Sequence, residues 1–93
     1  MRGYSEHRDE VLARLRRVEG QVRGIQRMVG DDEYCIDILT QISAASSALK
    51  RVAVGLLDDH VRNCVAEAAQ DGPAARDDKI AEASAAVERL LKA

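Results

Sequence analysis

The stretch CIDILTQISAASSALKRVAVGLLDDHVRNC, residues 35–64, decides the fold. Cys35, Ile38, Ile42, Ala45, Leu49, Val52 and Leu56 recur in steps of three and four, the spacing of one face of an α-helix. The pattern predicts a helix from near Asp32 to about Gln70, because no strong breaker intervenes before Asp71-Gly72-Pro73. Gly55 alone is tolerable, and a kink near Gly55 or Asp58-Asp59 is the alternative to a straight rod. A helix of this length exceeds the ordinary globular range, so packing against a symmetry mate is expected.

Upstream, Leu12, Leu15, Val18, Val22, Ile25 and Val29 form a second seam, predicting a helix from an N-cap at Ser5 to about Val29. Gly20 and Gly24 interrupt it, and Gly30-Asp31-Asp32 marks its stop. Downstream, a loop over roughly Asp71 to Arg76 leads to a short third helix carrying Ile80, Ala83, Val87, Leu90 and Leu91. No strand signal, repeat or low-complexity segment is present. The expected fold is all-α, with three helices in a single domain over residues 1–93.

Composition narrows the class. The 93 residues contain no Trp or Phe and only two Tyr, so a core must be built from Leu, Ile, Val and Ala. So short a chain gains much by burying helix faces against partners. Charged residues reach 32%, with both signs interspersed, which suits an ordered, soluble chain. Neither a membrane span nor a signal peptide is legible, so a cytoplasmic location with reduced thiols is expected. Residues 1–30 carry seven Arg against four acids, a surplus of +3, while the remainder carries −5, for the total of −2. Oligomerisation would multiply the basic patch, leaving a polyanion partner open. No general-base constellation or phosphate-binding glycine loop points to an enzyme.

The only two cysteines, Cys35 and Cys64, and one of two histidines, His60, lie in the deciding stretch. His60 and Cys64 are four apart, one turn above each other on a helix, a ready pair of metal ligands. Cys35 lies 29 residues before Cys64, roughly 40 Å along a continuous helix. The two thiols cannot meet within one chain. If they share a site, a second copy must run antiparallel and present its Cys35 to this chain's His60 and Cys64. The plainer readings are a cysteine packed in a seam and a surface histidine ending the acidic patch of Asp58 and Asp59.

Three segments together resemble the CsoR/RcnR family of bacterial transcriptional repressors, in particular its copper(I)-sensing branch: RLRRVEGQVRGI (residues 14–25), YCIDILTQISA (residues 34–44) and His60-x-x-x-Cys64. The likeness runs from about Tyr4 to Leu91. It implies antiparallel four-helix-bundle dimers assembled into a disc-shaped tetramer, a dimer of dimers. It also implies copper ligands at Cys35 of one protomer and at His60 and Cys64 of the other, supported by Tyr34 and Glu82. Nickel and cobalt sensors of the family add a histidine near the N-terminus, where this chain has Gly3, and replace Cys64 by His. The Cys-His-Cys set points to Cu(I), a soft ion that favours thiolates and is content with three donors; zinc ordinarily wants four. Metal capture requires deprotonated thiols, so affinity should weaken as pH falls.

The resemblance carries DNA contact onto Arg14 and Arg51, with Arg16, Arg17, Gln21 and Lys50 beside them. Without it, these residues read as a solvated face with local Glu–Arg pairs. The expected function is a repressor whose metal-free form holds operator DNA, chosen as G·C-rich by shape, and whose Cu(I)-bound form lets go to derepress copper-resistance genes. The alternatives are a cytosolic copper buffer, in which the Arg face binds no DNA, and a thiol- or persulfide-responsive regulator using Cys35 and Cys64.

Overall fold

The computed structural model describes residues 3–92. Every regular element among them is helical. A 3-10 turn at Ser5–His7 leads into α1 (Arg8–Gly30), followed by α2 (Cys35–Asp59), a π-helical stretch (His60–Val65), α3 (Ala66–Ala69) and α4 (Pro73–Lys92). The described residues form two compact units, His7–Val54 and residues 3–6 with 55–92.

In the first unit α1 begins later than its seam suggested. Ser5 opens the 3-10 turn, and the N-cap position falls on His7, which makes no side-chain cap bond. Asp9 and Glu10 occupy the first turn, where carboxylates offset the positive end of the helix dipole. The C-terminus closes by a Schellman motif: the Glu33 amide donates to the Met28 carbonyl at 3.0 Å and the Asp32 amide to Val29 at 3.2 Å. That motif needs a left-handed residue just past the helix, and Asp32 supplies it with φ 53°. Asp32 therefore ends α1 and cannot begin α2. The second helix starts three residues later than expected, when the Tyr34 carbonyl accepts from the amides of Asp37 (3.0 Å) and Ile38 (3.3 Å).

The two seams are only partly covered. Val18, Ala45 and Val52 are buried, and Ile25, Ile38 and Leu56 are half-buried. Leu12, Leu15, Val22, Val29, Ile42 and Leu49 remain exposed on the same seams. Ordering each residue costs about 1–2 kcal/mol of backbone entropy. Three buried side chains of at most valine size return too little against that for long helices.

In the second unit the long helix departs from α geometry at His60, one residue past the acidic pair where a kink was the alternative. α4 packs back against the π-helical stretch and α3. Its covered face is Ala75, Lys79, Ala83, Val87 and Leu90, while Ile80 and Leu91 are exposed. The loop expected over Asp71–Arg76 shrinks to a turn, because Pro73 is the first residue of α4. A proline there needs no amide donor and has its φ pre-set for a helix. Gly72 takes φ 111°, and its carbonyl accepts the Arg76 amide at 3.2 Å, setting the first turn of α4.

Candidate metal centre

His60 opens the π-helical stretch, and Cys64 follows four positions on, on the same side of the helix. Short π-helical insertions are uncommon and concentrate at functional positions. Both residues are half-buried, and His60 Nε2 is fully enclosed with no hydrogen-bond partner. An enclosed nitrogen without a partner forfeits about 1–3 kcal/mol of hydration. A coordinating ion would recover it. The surface-histidine reading fails here: Asp59 is itself buried, and Asp58 faces solvent in an ion pair with Arg62 at 2.9 Å.

Gly3 covers this pair. It is buried, and a Cβ placed on it would lie 3.0 Å from Cys64 Sγ, 3.0 Å from His60 Cα and 3.0 Å from the Asp59 carbonyl oxygen. Asn63 Nδ2 donates to the Gly3 carbonyl at 2.8 Å. Asn63 was not identifiable as part of the site from the sequence, and Gly3 entered only as the place where nickel and cobalt sensors of the family carry a histidine. The proximity joins positions sixty apart in the chain, and no local pattern announces it.

Cys35 belongs to the first unit, as the first residue of α2, and is exposed with a free thiol. Among the described residues no three His, Cys, Asp or Glu side chains gather into a metal-holding group. Tyr34 is exposed beside Cys35. Glu82, on α4, is exposed and pairs with Lys79 at 3.4 Å. It makes no hydrogen bond to His60 Nε2.

The cationic residues predicted for DNA contact, Arg14, Arg16, Arg17, Lys50 and Arg51, are exposed, as is Gln21. None of the five cations forms an ion pair among the described residues, whereas Arg23 is held by Glu19 at 3.0 Å. The local-pair reading thus holds for Arg23 and not for the others.

A helical chain with a half-buried thiol–imidazole pair whose enclosed nitrogen lacks a partner, and with exposed, unpaired cations on α1 and α2, has the donors and the charge of a metal-responsive nucleic-acid-binding protein. Residues 7–89 match the family described as metal-sensitive transcriptional repressor. The chain belongs to that family, whose members act on DNA. It is 57% identical over 90 residues to the copper-sensing transcriptional repressor RicR of Mycobacterium tuberculosis, covering 97% of this chain and 94% of the relative. It is 56% identical over 68 residues to the copper-sensing transcriptional repressor CsoR of Bacillus subtilis, covering 73% and 67%. The crystal structure of the copper-sensing repressor CsoR with Cu(I) from Geobacillus thermodenitrificans superposes with a TM-score of 0.85 at 40% identity, over 94% of this chain and 88% of that one. The all-α expectation and the family expectation both stand.

Proposed function

We propose that this chain is a copper(I)-responsive transcriptional repressor in which residues 1–93 act as one metal-sensing, DNA-binding domain. The observation that carries the reading is the enclosed, unpartnered Nε2 of His60 on the same π-helical turn as Cys64. A soft ion would find there a nitrogen and a thiolate already placed. Cys35 of a second protomer supplies the third donor, since 29 residues of helix separate Cys35 from Cys64 in one chain, roughly 40 Å at the α-helical rise. Copper(I), when bound, offers Lewis acidity toward two thiolates and one imidazole without requiring a fourth ligand. The exposed apolar residues of α1 and α2 support the antiparallel dimer, and the dimer of dimers built from it, as the surface such a partner would cover.

The metal-free tetramer holds operator DNA through Arg14 and Arg51, flanked by Arg16, Arg17, Gln21 and Lys50. Contacts to phosphate rather than to base edges leave G·C-rich sites to be selected by shape. Tyr34 and Glu82 serve as supporting residues once protomers assemble. No helix among the described residues is long and apolar enough to cross a membrane, and the cytoplasm, where thiols stay reduced, is the proposed location.

The test is a titration of reduced, metal-free protein against its own promoter region, repeated with one Cu(I) per protomer. Tight binding that disappears on adding copper is the expected result. Cys35→Ala should bind the operator as well as the wild type and ignore copper. Copper-driven release surviving in that variant would remove Cys35 from the switch.

A further inference from the structure

We infer that Asn63 is a positioning residue that clamps the N-terminal segment over the Cys64 thiol, and that position 3 is reserved for glycine so that the clamp can close. Asn63 lies on the π-helical stretch between the two candidate ligands and is half-buried. Its amide reaches the Gly3 carbonyl at 2.8 Å, sixty residues away in the chain. By contrast, the neighbouring Arg62 spends its side chain on Asp58, four residues back on its own helix. Asn63 thus ties the N-terminal segment to the ligand turn.

Steric facts at Gly3 give the clamp its meaning. Of the three atoms that a methyl at this position would meet first, two are backbone, the Asp59 carbonyl oxygen and His60 Cα, and neither can swing aside. The third is Cys64 Sγ itself. Any side chain at position 3 must therefore shift the segment against the ligand turn by at least a few tenths of an ångström, and a branched one by more. With glycine, backbone lies directly on the thiol and Asn63 fastens it there. The segment shields Cys64 from bulky thiol reagents on that side before any metal arrives. The inference builds on the reading of Cys64 as the sensing thiol, but its geometry is that of the metal-free chain.

The experiment is accordingly done without metal. In a Cys35→Ser background Cys64 is the only thiol, and its modification by N-ethylmaleimide can be followed by mass spectrometry. Asn63→Ala and Asn63→Asp should both speed modification about two- to tenfold, the range set by one side-chain hydrogen bond. Gly3→Val, which lies outside every helix, should do the same. Adding it to Asn63→Ala should bring little further gain, because both open one clamp. Unchanged rates in Gly3→Val and Asn63→Asp, with helicity retained by circular dichroism, would overturn the clamp. Fast reaction in Asn63→Ala but not in Asn63→Asp would overturn the donor role and leave Asn63 as a space-filler. Altered rates together with an operator complex indifferent to copper would leave the clamp standing and defeat only the copper reading.

Discussion

At the scale of single residues, the proposed metal site places a cost on the metal-free fold at His60. Its Nε2 is enclosed without a partner, and replacing an unsatisfied buried polar atom by an apolar group is neutral or stabilising. His60→Leu should therefore leave metal-free protein at least as stable to urea as the wild type, with a gain of up to about 1–3 kcal/mol. The same variant should still hold operator DNA yet fail to release it with copper. A drop of more than about 1 kcal/mol would mean that the imidazole is tied down by hydrogen bonds in the metal-free protein. The types and spacing of Cys35, His60 and Cys64 were legible in the sequence, since a chain so poor in cysteine and histidine offers few other donors. Asn63 was not, and Gly3 stood out only as the place where nickel and cobalt sensors carry a histidine. A glycine close to the N-terminus and an asparagine inside a helical pattern each have many commoner explanations, and only the fold places one on the other.

At the scale of elements, periodicity found the helices and missed their ends, for reasons of local chemistry. Asp31-Asp32 reads as a stop followed by an acidic helix start, but Asp32 is consumed as the left-handed residue closing α1. Pro73 reads as a breaker and instead opens α4. The π-helical stretch has no signature in His-Val-Arg-Asn-Cys-Val, which would serve equally well in an α-helix; packing of α4 and of the N-terminal residues accompanies the wider turn. The closure of α1 yields a prediction. A non-glycine residue in the left-handed region costs roughly 1–2 kcal/mol, with aspartate among the more tolerant. Asp32→Gly should stabilise the protein by about 0.5–1 kcal/mol, the relief of strain partly offset by the greater freedom of unfolded glycine. Asp32→Val should destabilise it by about 1–2 kcal/mol, since a β-branched residue fits that backbone worst. Denaturation must be compared at one protein concentration, because assembly feeds into apparent stability. Equal midpoints for the two variants would show that the turn rearranges rather than bearing strain.

At the scale of the whole molecule, charge placement separates DNA contact from ordinary solvation. The chain is net negative, so an operator complex draws on local cations rather than on the total charge. Arg14 and Arg51 are exposed and unpaired among the described residues, while Arg23, also exposed, is held by Glu19. The three arginines therefore make a controlled comparison. Each phosphate neutralised contributes about 0.9 to the slope of log affinity against log salt on duplex DNA. Arg14→Ala and Arg51→Ala should weaken operator binding and flatten that slope by about 0.9 for every phosphate released, summed over the protomers that touch DNA. Copper(I) uptake by both variants should stay as in the wild type, because neither residue is a proposed ligand. Arg23→Ala should change neither slope nor affinity appreciably, since its charge is already offset by Glu19. If all three variants flatten the slope alike, binding answers to net charge and the assigned face is wrong; if only Arg14 and Arg51 do, the DNA lies across them.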